Sequence, residues 1–325
     1  MKLRIKRVDL EFVTPLRIAY RTQTHARCVV VEVEDAEGCI GRGEGLAVTY
    51  HGETADSLAA QLAALPPLDE GIDCDSVQAL LPPGGARNAL DCALWDLEAK
   101  RTNTRAWTLA GIFTVRPLLS AYTLGMDSVE NMASTAAELT QYPLLKIKLG
   151  GEDDLARVKH IRDARPDARI IVDANQSWDL EKLMRWAPDF ADLGVELIEQ
   201  PLSAGEDAAL AGYSSPVPLC ADESCQTSES VPRLVDQYAY VNIKLDKAGG
   251  LTEALKIAHS AAAHGMKRMV GCMAGSSLAM APAFIIGQLC DVVDLDGPLL
   301  AKADIPNGIR YEGGLMHPPQ PDLWG

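Results

Sequence analysis

The chain has 325 residues, 47% apolar and 23% charged, which excludes a disordered, fibrous or collagen-like protein and leaves material for one large domain or two unequal ones. Its 45 acidic against 30 basic residues give a formal charge of −15, a surface that an anionic duplex or bilayer repels, so neither nucleic-acid nor membrane binding is expected. Eight cysteines without a C-x-x-C pair read as buried thiols of a reducing compartment, which makes the protein a cytoplasmic one by expectation.

In chain order, β-type apolar runs over 3–12 and 27–34 come first. Gly38, Gly41, Gly43 and Gly45 follow at a spacing that is not G-x-G-x-x-G, with no helix directly after them, so a hairpin is predicted and not a nucleotide loop. Residues 86–100 carry Leu90, Ala93, Leu94 and Leu97 at helical spacing. Residues 1–115 are therefore expected to form an α+β domain. From Arg116 the texture changes to short apolar strands alternating with amphipathic stretches: 118–123, 144–149, 169–173, 195–199, 218–222, 240–245, 267–272 and 292–295. Eight strands joined through mostly helical sequence predict a parallel sheet closed into a TIM-type β/α barrel over 116–300. The charge-free stretch 269–290 is broken by Gly271, Gly275, Pro282 and Gln288, and reads as buried strand, loop and helix, not as a membrane span. The Pro- and Gly-rich segment 301–325 is expected to pack back on the first domain.

Chemistry in such a barrel sits where strands end. Lys148, Asp173, Glu199, Asp222 and Lys244 fall at or near the ends of the second to sixth predicted strands, each about one strand–helix unit from the next. Ionisable groups inside apolar strands are costly unless paired or bound to metal. Asp173, Glu199 and Asp222 offer three hard oxygen donors, a set that suits Mg²⁺, and no His or Cys at equivalent ends argues for zinc. Lys146 and Lys148, two apart on a strand, point the same way. Asn242 and Lys244 share a parity too, aiming Lys244 inward, whereas Lys247 has the opposite parity and lies beyond the apolar run. Ammonium groups near each other and near a divalent cation are expected to have lowered pKa values, which suits a lysine to act as a base. Two such lysines on opposite sides of a metal-bound carboxylate substrate would remove a proton from one face and return it to the other.

These positions resemble the enolase superfamily, specifically its muconate-lactonizing-enzyme subgroup: Lys146-Ile147-Lys148, Asp173 in IVDANQSW, Glu199 in LIEQP, Asp222 in CADES, Lys244 in VNIKLDKAGG, and ALDCALWDLEAK in the first segment. The resemblance implies a modified barrel under a capping domain that the C-terminal tail completes. It implies Mg²⁺ on Asp173, Glu199 and Asp222, with Lys148 and Lys244 as acid and base, and Lys146 contacting the substrate carboxylate. The D-x-D of Asp294 and Asp296 is similar to that of dipeptide epimerases of the L-Ala-D/L-Glu type, where the pair receives the dipeptide's amine. Arg21 matches a position facing the substrate's terminal acidic side chain, and Cys272 and Ser276 belong to a small-residue rim after the seventh strand. The expected activity is an isomerase's, epimerisation of a small dipeptide, in a possible homo-oligomer. N-acylamino acid racemisation, o-succinylbenzoate synthesis and muconate cycloisomerisation on the same scaffold remain open. So do a Schiff-base aldolase and a binding protein. The loop Tyr50-His51-Gly52 is a further candidate for the pocket.

Overall fold

A computed structural model of the protein describes residues 1–325. The chain begins with three antiparallel strands, β1 (Lys2–Ile18), β2 (Arg21–Glu34) and β3 (Ile40–Leu46), in the order β1-β2-β3. The β1–β2 ribbon ends in a two-residue turn, Ala19-Tyr20, between the paired Ile18 and Arg21. Three helices follow: α1 (Ala55–Ala63), α2 (Cys74–Leu80) and α3 (Gly85–Thr102). The glycines of β3 have a steric reason. A Cβ on Gly41, Gly43 or Gly45 would stand 2.0–2.1 Å from a backbone oxygen of α3, at Ala93, Ala89 and Gly85 respectively. Alternate glycines on one face thus let the helix lie directly on the strand, while Val29, Val31 and Val33 of β2 form a core with Leu90, Leu94 and Leu97. Leu94 and Leu97 belong to the predicted helical run, and the helix extends it by a residue or two at each end.

After α4 (Ala106–Leu109), β4 (Leu118–Leu119) does not enter the barrel. It pairs antiparallel with the C-terminal hairpin, so the first predicted strand is split and only its second half, β5 (Tyr122–Leu124), belongs to the parallel sheet. The rest of that sheet is β6 (Leu144–Lys148), β7 (Arg169–Asp173), β8 (Val195–Glu199), β9 (Leu219–Ala221), β10 (Tyr240–Ile243), β11 (Lys267–Val270) and β12 (Val292–Val293), paired in sequence order. Helices α5 (Val129–Glu138), α6 (Asp154–Ala164) and α7 (Leu180–Asp192) cover its first connections. The connections from β8 to β9 and from β9 to β10 carry only a 3₁₀ turn each, Asp207–Leu210 and Val231–Arg233, where helices were expected. In the first of them Gly205 and Gly212 adopt positive φ, with Pro216 and Pro218 close behind, and a helix of useful length does not fit between such breaks. A one-turn α8 (Leu245–Ala248), then α9 (Leu251–Ala263), α10 (Ser277–Gly287) and a short α11 (Gly297–Leu300) complete the set. The charge-free stretch forms the end of β11, a loop and the wholly buried α10, and no helix is long and apolar enough to cross a membrane.

The ring closes narrowly. Between β12 and the chain before β5 there is one parallel bridge, Ser120 to Val293, with Ala121 N–H donating to Val293 O at 2.8 Å and Leu295 N–H donating to Ser120 Oγ at 2.9 Å. The tail adds β13 (Tyr311–Glu312) and β14 (Leu315–Met316), the latter on β4. Its last residues reach α3: Trp324 Nε1 donates to Cys92 O at 3.1 Å and Gly325 N–H to Asp96 Oδ1 at 2.7 Å.

Candidate active site

Inside the ring, side chains stack in layers because successive inward residues on a strand are two apart. The lowest layer is apolar and takes one residue from each strand or its approach: Ala121, Leu144, Ile171, Leu197, Cys220, Tyr240, Met269 and Val292. Two residues further along, the same eight segments supply Thr123, Lys146, Asp173, Glu199, Asp222, Asn242, Gly271 and Asp294. The change from hydrocarbon to carboxylate and ammonium happens in a single step of the pleat. Another two residues on come Lys148 and Lys244, and Asp296 after β12. Ile147 and Leu149, of opposite parity, pack into the outer core under the helices.

The polar layer is held by direct contacts among buried groups. Lys146 Nζ lies 2.7 Å from Asp294 Oδ2, 2.7 Å from Glu199 Oε2 and 3.3 Å from Asp173 Oδ2. Lys148 Nζ is 2.6 Å from Asp173 Oδ2, and Lys244 Nζ is 2.6 Å from Asp222 Oδ2. Asn242 Nδ2 donates to Glu199 Oε1 at 2.7 Å. Lys247, which its parity set apart, comes round on the turn of α8, 2.6 Å from the other carboxylate oxygen of Asp222, and donates to Asn242 O. It underpins Asp222 from outside the cavity. Gly271 leaves room for the lysine: a Cβ there would stand 2.8 Å from the Asn242 amide and 3.0 Å from Lys244 Cε.

One oxygen from each of Asp173, Glu199 and Asp222 can be chosen so that all three lie within 4.8 Å of one another. Burial pushes the Glu199 carboxyl up, and Asp173 adds to this, to about 7. For Asp222 burial works the same way, but Lys244 and Lys247 outweigh it and hold the group far below the usual carboxylate range. Asp173 is likewise held down by Lys148 and Lys146 against its burial. Burial lowers Lys146 and Lys244, yet the facing carboxylates, Asp294 for the first and Asp222 for the second, outweigh it and keep both well above the ordinary lysine value. Anions, and not other cations, are the nearest neighbours of both lysines here, whereas the expected fall is that of lysines beside a bound divalent cation. Counting Glu223, Asp294 and Asp296, six buried carboxyl groups face the four buried lysines 146, 148, 244 and 247. Three hard-oxygen donors this close together, Asp173, Glu199 and Asp222, fit one divalent cation.

A cavity of about 60 Å³ opens above this layer, lined by Lys146, Lys148, Asp222, Lys244, Asp294 and Asp296, with Cys272 and Asn175. The cap supplies Leu16, Ile18, Tyr20, Arg21 and Gln23 from the β1–β2 ribbon, and Thr49 and Tyr50 from the turn after β3. Arg21 donates to Thr49 Oγ1, joining those two pieces. Asp294 is engaged by Lys146, and Asp296 accepts the Thr123 N–H at 2.6 Å. Burial and then Asp294 push Asp296 up to about 7. Burial likewise pushes the Cys272 thiol, which lines the cavity, up to about 12.

Ser276 is not in the cavity. It caps the N-terminus of α10, accepting the Leu278 N–H at 3.1 Å, and its own N–H and hydroxyl both go to Glu44 of β3. Ser-Ser before an apolar run is a helix-start signal, and here that role wins. Gln200, which no sequence pattern marks, is buried with φ of +34° directly after Glu199. Its Oε1 accepts the N–H groups of Asp222 at 2.9 Å and Ser224 at 3.1 Å, so the residue after one carboxylate orients the backbone of the next. Asn175 and Gln176, just past Asp173, also have positive φ, and such backbone gathers at functional strand ends.

Two family models match nearly the whole chain: "Mandelate racemase / muconate lactonizing enzyme, N-terminal domain" over residues 2–111 and "Enolase C-terminal domain-like" over residues 128–322. An L-Ala-D/L-Glu epimerase of Escherichia coli K12 is 43% identical over 94% of this chain and 95% of its own. An N-acetyl-D-glutamate racemase of a Pseudoalteromonas species is 40% identical over 91% and 95%. Among solved structures, an enolase family member from Agrobacterium tumefaciens with homology to dipeptide epimerases, holding sodium and L-Ala-L-Glu with an ordered loop, matches with a TM-score of 0.96 at 42% identity, covering 99% of both chains.

Proposed function

The chain belongs to the mandelate racemase / muconate lactonizing enzyme family, and on that premise we propose that it is a Mg²⁺-dependent dipeptide epimerase of the L-Ala-D/L-Glu type, inverting the α-carbon of the C-terminal residue. One observation carries the reading: Lys148 on β6 and Lys244 at the end of β10, four strands apart in an eight-stranded ring, both line one cavity and flank one carboxylate cluster.

Asp173, Glu199 and Asp222 are the residues that would hold the metal. Mg²⁺ bound there would supply the positive charge that draws in the substrate carboxylate, acidifies the adjacent α-proton and offsets the negative charge left by its removal. Lys146 would contact the same carboxylate. One of the two lysines enters as a free amine and takes the α-proton, becoming an ammonium. The other enters as an ammonium and returns a proton to the opposite face, ending as an amine. Protons and charge balance, and configuration inverts. Asp294 and Asp296 would take the dipeptide's ammonium group, with Asp294 shared with Lys146, and Arg21 would face the C-terminal acidic side chain at the cap. The N-acetyl-D-glutamate racemase relative favours a second reading, N-acylamino acid racemisation, which has no ammonium for the aspartates to bind.

The test is proton NMR of the Mg²⁺-loaded protein with L-Ala-L-Glu in deuterated water. Loss of the Glu α-proton signal and growth of the L,D diastereomer are expected. Exchange of N-acetylglutamate but of no dipeptide, untouched by Asp294→Ala or Asp296→Ala, would transfer the assignment to the second reading.

A further inference from the structure

Lys244 stands immediately before the single turn of α8, which Lys247 ties to Asp222 and Asn242 on its barrel side and which the cap grips from the other. Asp246 Oδ1 accepts the Leu46 N–H at 2.8 Å and the Asn88 side-chain amide at 2.7 Å, the first from the end of β3 and the second from α3. Arg87 of α3 closes the other end of the turn, donating to Ala248 O at 2.6 Å and to Gly249 O at 3.1 Å. From Leu46 the chain runs on to Thr49 and Tyr50, which line the cavity opposite the barrel. One carboxylate oxygen therefore fixes two things at once: the backbone from which the Lys244 side chain springs, and the root of the loop that closes over it. The loop after Lys148 makes no hydrogen bond to the cap and meets it only where Gly150 packs against Ala19 of the β1–β2 turn. The loop after β6 is held from within the barrel, by Asp154 of α6, which accepts the Gly150 and Gly151 N–H groups at 3.0–3.1 Å.

We infer that Asp246 is a positioning residue for Lys244 alone, registering that lysine against the cap loop through the Leu46 and Asn88 hydrogen bonds. The inference rests on the two-lysine reading. It predicts an asymmetry between the two directions of proton transfer that a general stabilising role would not produce, because displacement of the α8 turn moves one Nζ and leaves the other in place.

The experiment measures deuterium wash-in at the Glu α-carbon of L-Ala-L-Glu and of L-Ala-D-Glu separately, with Mg²⁺-loaded protein. Lys148→Ala and Lys244→Ala establish which diastereomer each lysine serves. Asp246→Ala is expected to slow the Lys244-dependent wash-in about 10- to 100-fold and to leave the Lys148-dependent one within about twofold. Asp246→Asn, which keeps an Oδ1 acceptor for both donors, restores it, and Asn88→Ala shows a smaller loss in the same sense. Both rates are read on one sample, so a loss of folded protein scales them together and cannot mimic the asymmetry. Equal slowing of both, no slowing of either, or an Asp246→Asn variant as impaired as Asp246→Ala would overturn the inference. A parent protein that exchanges neither diastereomer sinks the epimerase reading, and this inference with it.

Discussion

The two lysines that flank the carboxylate cluster are held by different parts of the molecule. Lys148 is the last residue of a five-residue strand paired on both sides, and its exit loop is pinned by the buried Asp154, which also accepts from Trp178 Nε1 at 3.0 Å and Arg157 Nη1 at 2.9 Å. Lys244 follows a four-residue strand, and what lies beyond it is tied to β3 and α3. A base carried by the barrel keeps its place as long as the barrel is folded. A base whose footing is in the cap keeps its place only while cap and barrel stay in register. The first arrangement gives rigidity; the second would make proton transfer by Lys244, on the proposed mechanism, depend on the register of the cap.

The largest effect expected is from removing either lysine. Lys148→Ala and Lys244→Ala should each cut net epimerisation by about 10²–10⁴-fold while retaining α-proton exchange of opposite diastereomers, read by NMR in deuterated water. Chelation of the metal should abolish both directions together, with recovery on adding Mg²⁺ back; loss of only one direction would show that the cluster serves one lysine. Gly271→Ala presses a methyl group against Lys244 Cε and Asn242, and should slow the Lys244-dependent wash-in about tenfold while sparing the other. Asp154→Ala is the mirror test, removing the acceptor under the Lys148 loop. It should lower stability by about 2–4 kcal/mol in urea titration, since a buried carboxylate with several donors is lost, and shift the exchange ratio the opposite way. The smallest effect concerns pH. Burial pushes Asp246 up to about 7, against the hydrogen bonds from Leu46 and Asn88. A carboxyl whose folded pKa lies above its unfolded one contributes stability that is lost as pH rises from about 4 to 7. Asp246→Asn should therefore gain on the parent in Tm across that range, and a constant difference would refute the shift.

Much of this was legible in the sequence because parity and strand ends carry so much information. Asp173 and Glu199 terminate their strands as expected, Asp222 follows its own directly, and Lys146 and Lys148 point into the ring while Ile147 points out. The errors arose where local pattern and tertiary packing diverge. Residues 118–123 look like one strand, yet the tail captures Leu118 and Leu119, and only contact with Leu315 and Met316 explains the break. Lys247 has the wrong parity for a strand but lies on a helical turn, where parity has no meaning. Ser276 sits where a rim residue would, and the helix it starts decides its bonds. Gln200 left no mark because its work is done by an amide side chain on the backbone of a different strand.

The narrow seam between Ser120 and Val293 has a consequence for how the chain reaches its working form. The partners are 173 residues apart in sequence, and a contact of that span forms only after the loop between them has been closed. Asp294 and Asp296 lie just beyond Val293, and Asp296 meets Thr123 across the same seam. During synthesis Lys148 and Asp173 emerge long before the residues that complete the ring. In refolding, the helical circular dichroism signal should return ahead of epimerase activity, because the last strand to be paired brings Asp294 and Asp296, the proposed amine site, with it.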